Sequence, residues 1–325
     1  EAARSAGVRH VIFTSTVGAS AEHPVPLFRI KAEVERQLRE SGMTWTILRP
    51  NAFMDVWFAM LIEMPIRQGL PSGKLFALTH NYTGNAMVKQ AKAMVDNGEL
   101  GNIRKIQVQY LQGWLSTAVE KTDNKQASWR TDPKRSGIGG ALGDIGTHAE
   151  NLVEYITGLK IEELAADLGR FGKGRTLDDD GNLLLRMENG AKGTMSISQI
   201  ALGEENNLAI RVYGEKGSIE WHQENPNELI TRWLDKPKQI FTPNGNGLYP
   251  ESTSVTRIPA GHPEGYLEAF ATIYKNFAMH LMAIKAGKNI KKPDYPTVED
   301  GIRGMKFIYA SVESDKNNAA WVKLN

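Results

Sequence analysis

The chain has 325 residues, of which 41% are hydrophobic and 23% charged, and its formal net charge is +2. This balance is ordinary for a globular protein and excludes a strongly basic surface for nucleic acid. Because cysteine is absent, disulfides, thiolate nucleophiles and cysteine-bound zinc are also excluded. The sequence shows neither a signal peptide nor a membrane-spanning run, which predicts a soluble, cytoplasmic protein.

The first part of the chain, residues 1–81, alternates strand-like runs with helical ones. The strand-like runs are rich in β-branched and aromatic residues, and they are "VRHVIFTST", "TWTILRP" and "KLFALTHNY". Between them lie "LFRIKAEVERQLRESG" and "FMDVWFAMLIEMPIRQG", which have the spacing of helices. Strands alternating with helices over short connections predict parallel βαβ units. We therefore predict a truncated, Rossmann-like parallel half-sheet.

The second part, residues 82–325, has a different pattern of strand-like and helical runs. A helical run is followed by "IRKIQVQYLQGWL", in which Ile106, Val108 and Tyr110 share one face of a strand. Later strand-like runs are joined at "ENG" and "GEKG", which are hairpin-turn sequences. This pattern predicts a large, open, mainly antiparallel sheet with helices on one face, so the fold class is α/β plus α+β. The other face also needs a cover, which predicts a homo-oligomer.

The most unusual segment is "SGIGGALGDIGTHAENLVEYITG", residues 136–158. A dinucleotide fingerprint has the pattern G-x-G-x-x-G directly after a strand. Gly137 and Gly139 fit that pattern, but Leu142 occupies the third glycine position and a polar turn precedes the segment. The segment is therefore not predicted to hold a phosphate.

Within this segment, Asp144 and His148 are four residues apart, on one face of a helix predicted to run to about Thr157. A histidine there can move a proton near neutral pH, while the aspartate accepts a hydrogen bond from the imidazole or orients a substrate hydroxyl. The alternative is structural: the aspartate caps the helix and the histidine is half-buried at a domain boundary.

No metal site is predicted. Asp144, His148 and Glu154 do not place a third ligand on the same helix face. The acidic run "LDDDG", residues 177–181, lacks the later glutamate of a calcium loop and is predicted to be a solvated turn.

From about Gly73 to the end, the chain resembles the glucose–fructose oxidoreductase / inositol dehydrogenase (Gfo/Idh/MocA) family. The resemblance is carried by "LFALTHNYTG", "ELGNIRKIQVQYLQGW", "SWRTDPKRSGIGGALGDIGTHAENL" and "HPEGYLEAFATIY". It implies NAD(P)-dependent oxidation or reduction of a hydroxyl on a sugar, cyclitol or glycoside. In the family a lysine of a Lys-Pro dipeptide joins the aspartate and histidine, and Arg49-Pro50 occupies that position here. The implied site is catalytic Asp144, His148 and Arg49, substrate-binding Trp129, Tyr82 and His262, and cofactor-binding Arg130 and Asn81.

Residues 1 to about 72 resemble an internal segment of the NmrA-like atypical short-chain dehydrogenases. The matching runs are "AARSAGVRHVIFTSTVGA" and "PLFRIKAEVERQLRESGMTWTILRPNAFMD". Both families carry a glycine-rich phosphate loop, and these 325 residues contain none. An arginine at the lysine position also cannot readily give up a proton. We therefore expect a domain junction and an impaired catalyst.

Three functions stay open at this point. The first is an NAD- or NADP-dependent oxidoreductase that acts on a polyol or sugar. The second is a non-catalytic chimera or relic that keeps the substrate-binding and oligomerisation domain. The third is an NmrA-like nucleotide-sensing regulator. Neither nucleic acid nor a membrane is predicted as a partner.

Overall fold

The computed structural model describes residues 8, 10–14, 20–22, 26–48, 77–288 and 293–324. The chain divides into two compact units, Glu1–Phe53 and Met54–Asn325, and each has its own sheet. The domain limits predicted from the sequence remain predictions.

The first unit contains one βαβ motif. Strand β1 (His10–Thr14) and strand β2 (Thr44–Leu48) pair in parallel, from His10 opposite Thr44 to Thr14 opposite Leu48. Helix α1 (Pro26–Glu40) connects them, and Gly42 turns the chain into β2 with φ +69°. The predicted parallel half-sheet is confirmed for these residues.

The second unit holds the remaining helices of the described chain. The first of its described elements is a 3₁₀ turn over Asn81–Gly84. The α-helices are α2 (Ala86–Asp96), α3 (Lys125–Arg130), α4 (Pro133–Ser136), α5 (Thr147–Thr157), α6 (Pro250–Thr253), α7 (Tyr266–Lys285) and α8 (Val298–Lys316). A 3₁₀ turn at Val119–Lys121 precedes α3, and a π-helical turn at Leu142–Gly146 leads directly into α5.

Nine strands of the described second unit form a single mixed sheet in the order β10-β9-β8-β7-β3-β6-β5-β4-β11. They are β3 (Ile103–Leu111), β4 (Ile161–Gly169), β5 (Asp180–Met187), β6 (Lys192–Ser198), β7 (Asn207–Gly214), β8 (Gly217–His222), β9 (Leu229–Trp233), β10 (Gln239–Phe241) and β11 (Val322–Lys323). Only the pair β3–β6 is parallel. The prediction of a large, mainly antiparallel sheet is therefore confirmed.

One face of this sheet packs on helices α2, α5 and α8. Ile106, Val108 and Tyr110 of β3 are buried on that side, as their alternation predicts. On the opposite face, Gln107 and Gln109 are half-buried and Leu184 of β5 is exposed. That a second copy of the chain covers this face remains a prediction. Across the described helices, none combines the length and the apolar character that crossing a membrane requires.

The run "KLFALTHNY" does not form the predicted strand over its described part. Residues 77–80 make no sheet ladder, and Asn81–Gly84 forms the 3₁₀ turn instead. The backbone N–H of Leu78 donates to the carbonyl of Pro296, at 2.8 Å, rather than to a neighbouring strand. Ala77 and Leu78 are only half-buried and Thr79 is exposed. An apolar run in the sequence does not supply the strand partner that a ladder needs.

Candidate active site

The glycine-rich segment builds the centre of the site. A Cβ on Gly140 would lie 2.0 Å from the carbonyl oxygen of Asp178, so only glycine permits this approach. The Asp178 carboxylate accepts from the N–H groups of Gly140 (2.7 Å) and Leu142 (2.6 Å). It thus caps the turn that carries Asp144 and leads into the helix that carries His148. The prediction that "LDDDG" is a solvated turn was wrong, because Asp178 and Asp179 are both buried.

Replacement of Asp178 by asparagine tests this cap. Oδ1 of the asparagine can still accept from one N–H, but its amide faces the other N–H donor. We expect Asp178→Asn to lower the free energy of unfolding by about 1–3 kcal/mol, measured by urea denaturation. Asp123→Asn, at an exposed position, is the matched control, and equal losses in the two variants would refute the capping role.

Asp144 does not cap the helix and does not bond to His148. Its Oδ2 atom accepts from Nε of Arg130 at 3.0 Å and from Nε2 of Gln199 at 2.7 Å. No described side chain pairs with the other oxygen, Oδ1. The carboxylate is thus held at one oxygen and leaves the other to a ligand.

Arg130, which holds Asp144, is itself fixed by aromatic side chains. Its guanidinium carbon lies 4.4 Å from the ring centroid of Trp129 and 5.8 Å from that of Trp114, within the range of cation–π attraction. Gln126 accepts from Nη1 of Arg130 at 2.5 Å and from Nε1 of Trp129 at 3.3 Å. The Trp129–Arg130 pair predicted from the sequence is therefore joined to Asp144 in one arrangement.

His148 is half-buried, and its Nδ1 atom lies 3.3 Å from Nδ1 of His80. Burial lowers the pKa of His148 to about 4, although the nearby Asp144 acts in the opposite direction. Nε2 of His148 has no hydrogen-bond partner in the described chain and is not sealed from solvent. At neutral pH the imidazole is therefore uncharged, with one nitrogen tied and the other accessible.

Tyr82 forms a wall beside His148, with the two ring centroids 5.2 Å apart in an edge-on arrangement. Its hydroxyl is 2.5 Å from that of Tyr110, which donates to Asn206 at 2.9 Å. Burial raises the pKa of both tyrosines, so they stay protonated at neutral pH. The hydroxyl of Tyr82 is thus already engaged within the protein.

The remaining predicted residues are not all brought to this cluster. Asn81 is adjacent to it, buried, and its amide nitrogen Nδ2 has no partner. His262 lies on an exposed loop, where its Nδ1 atom contacts the carbonyl of Pro259 at 3.2 Å. Arg49 lies outside the described residues. Within the described chain, no group of three or more His, Asp or Glu side chains is suited to a metal.

Four residues of the candidate site were not predicted from the sequence, namely His80, Trp114, Asp178 and Gln199. His80 carried a usable signal, since it is a histidine directly after a strand-like apolar run and next to Asn81. Gln199 could not be predicted, because its contact with Asp144 depends on how distant parts of the chain pair in the sheet.

Comparison with known proteins identifies the class. Residues 88–220 match the family model for the GFO/IDH/MocA C-terminal domain, and residues 1–57 match a model described as NAD(P)H-binding. The chain is 34% identical over 259 residues to the uncharacterized oxidoreductase YfiI of Bacillus subtilis, covering 77% of this chain and 65% of that protein. The second part of the chain belongs to the Gfo/Idh/MocA family. The narrower NmrA-like assignment of the first segment is matched in part, at the level of NAD(P)H binding.

Two solved structures share this architecture. An inositol dehydrogenase homolog of Azotobacter vinelandii, complexed with NAD+, is 29% identical with a TM-score of 0.80, covering 98% of this chain and 78% of that one. An oxidoreductase of Sinorhizobium meliloti is 33% identical with a TM-score of 0.75, covering 97% and 99%. The chain spans 65% of the length of the Bacillus relative and 50–64% of two other curated relatives.

Proposed function

We propose that this chain takes part in the NAD(P)-dependent oxidation of a hydroxyl group on a cyclitol, sugar or glycoside, or in the reverse reduction. One observation carries the proposal: Nε2 of His148 and Oδ1 of Asp144 are unpaired among the described residues, while the opposite atom of each side chain is fixed. Two acceptors held in this way suit a polyol, in which one hydroxyl gives its proton to His148 and a neighbouring hydroxyl donates a hydrogen bond to Asp144.

The proton step follows from this arrangement. As the substrate carbon loses a hydride, its hydroxyl proton passes to Nε2 of His148: the O–H bond breaks, an N–H bond forms and the carbon–oxygen bond becomes a carbonyl. Oδ1 of Asp144 accepts from a neighbouring hydroxyl and keeps the substrate oriented. The site has no need of a tyrosine acid, since Tyr82 and Tyr110 bond to each other.

One residue of the candidate site, Asn81, fits a nicotinamide. Nδ2 of Asn81 is a buried donor without a partner, and a buried donor of this kind is costly unless a ligand oxygen meets it. The amide of Asn81 would hold the carboxamide oxygen of a nicotinamide, which when bound supplies the hydride acceptor or donor. Independently of Asn81, the match of residues 1–57 to an NAD(P)H-binding model supports a nicotinamide nucleotide as the cofactor.

The substrate class is supported by the polar character of the cluster. Asp144, Gln199 and Gln112 form a linked set of acceptors and amides beside the indole of Trp114. Hydroxyl-rich rings are bound by such groups together with an aromatic face. The solved relative that is named an inositol dehydrogenase homolog is consistent with a cyclitol or sugar.

A titration of the 325-residue chain with NADH and NADPH, by fluorescence and calorimetry, tests the proposal. Saturable binding is expected, followed by turnover when inositols, hexoses and glycosides are screened with the matching oxidised cofactor. Polyol binding without nucleotide binding would instead favour a non-catalytic substrate domain. Nucleotide binding without turnover of any polyol would favour a nucleotide-sensing regulator.

The pH dependence of turnover gives a second expected result. Oxidation needs the neutral imidazole, and burial lowers the pKa of His148 to about 4. The kcat/KM for oxidation should therefore change little with the state of His148 near neutral pH and fall as pH drops through about 4, by about tenfold for each further pH unit. A profile recorded from about pH 2.5 to pH 8 checks this. An acidic limb centred on the ordinary pKa of histidine would contradict it.

A further inference from the structure

The contact between His80 and His148 constrains where their protons lie. The two Nδ1 atoms are 3.3 Å apart, and the rings meet edge to face with centroids 4.9 Å apart. Two neutral imidazoles in this geometry share one proton between these nitrogens, so one ring donates and the other accepts. The tautomer of each ring therefore fixes that of the other.

His80 is suited to remain neutral. It is 5% exposed, and its Nε2 atom is buried without a partner. Burial and the adjacent His148 hold the pKa of His80 well below its ordinary value. The other groups at this point of the site are the neutral Tyr82 and Tyr110 and the Asp144–Arg130 ion pair. Of the two histidines, His148 is the accessible one, and it is therefore the one that takes up a proton.

Only one direction of the shared hydrogen bond is possible once His148 has taken up a proton. A protonated His148 carries hydrogen on both ring nitrogens, so its Nδ1–H must donate and His80 must accept. If His80 instead donated in the resting state, each proton transfer would require both rings to exchange tautomers. With His80 as acceptor, the same hydrogen bond persists and becomes charge-assisted when His148 is cationic.

We propose that His80 is a positioning residue whose Nδ1 lone pair holds His148 in the Nδ1–H tautomer and leaves the lone pair of His148 Nε2 to receive the substrate proton. This role rests on the proposed function of His148 as the base. It differs from that of a buried carboxylate behind a catalytic histidine, because His80 orients the ring without adding a negative charge. The low pKa of His148 is consistent with a neutral partner.

The test is nitrogen-15 NMR of the full chain labelled on histidine, with His148 assigned from the His148→Gln variant. In the wild type above pH 6, neutral His148 should carry its proton on Nδ1. His80→Leu should abolish that preference, and His80→Asn, whose side-chain oxygen can accept in place of Nδ1, should restore it. A proton on Nε2 of His148 in the wild type, or an unchanged Nδ1 proton in His80→Leu, would overturn the proposal.

Kinetics add an independent measure. In His80→Leu we expect kcat to fall by about 10- to 100-fold with little change in KM, and His80→Asn should recover most of the loss. A chain that oxidises no polyol would refute the proposed function alone, since the tautomer of His148 is measured without turnover.

Discussion

Replacement of His148 by glutamine is expected to lower kcat/KM for polyol oxidation by about 100- to 10,000-fold, the usual loss when a general base is removed. Glutamine has a similar polar reach but cannot accept a proton near neutral pH. Its amide can still bond to the substrate hydroxyl, so binding should survive. The dissociation constants for nucleotide and polyol, measured by calorimetry, should therefore change by less than about threefold.

His222→Gln is the matched control for this experiment. His222 lies on β8, where its Nε2 atom is 2.7 Å from Glu220, and it has no hydrogen bond to the site. The same chemical change there should leave kcat/KM within about twofold of the wild type. If His148→Gln kept more than about a tenth of the activity, His148 would not be the base.

Replacement of Gly140 by alanine should cause the second large effect, on stability. The added Cβ would lie 2.0 Å from the carbonyl oxygen of Asp178, a backbone atom that also accepts from the N–H of Ala141 at 2.9 Å. Relief of this clash requires one of the two segments to move, and with it the cap on the turn. We expect a loss of about 3 kcal/mol or more in the free energy of unfolding, measured by urea denaturation.

Gly143→Ala makes the same change three residues later in the same segment. Its Cβ would meet no atom closer than Cδ1 of Ile308, at 4.0 Å. Because alanine favours helical conformations over glycine, this variant should be unchanged or more stable by up to about 1 kcal/mol. Similar losses in both variants would show that the cost reflects glycine flexibility rather than the approach to Asp178.

The sequence was informative about the fold wherever local pattern and tertiary environment agree. Alternation in β3 predicted its buried face, and the "ENG" turn predicted a hairpin that the structure forms with Gly190 at φ +85°. It failed at residues 77–82, where the strand-like run makes no ladder and only residues 80–82 are buried. Composition over so short a run does not show whether a neighbouring strand is present.

The site was predictable in its residue types but not in its connections. Helical spacing placed Asp144 and His148 on one face, which suggested a bond between them. A π-helical turn at Leu142–Gly146 intervenes, and each side chain has a different partner: Arg130 and Gln199 for the aspartate, His80 for the histidine. Spacing along one helix carries no information about partners that come from other elements.

The position of β3 has a consequence for how the sheet assembles. Strands β4–β5–β6 and β7–β8–β9–β10 are two meanders of sequence neighbours, whereas β3 lies between them and bonds to β6 on one side and β7 on the other. The meanders need only short loop closures, but β3 must close long ones, as in the pairing of Lys105 with Lys192. The connection from β3 to β6 contains Arg130, Asp144 and His148. We therefore expect the sheet and the arrangement of its acid–base groups to be completed in the same late step of folding, because β3 precedes both meanders in the chain and must enter between them.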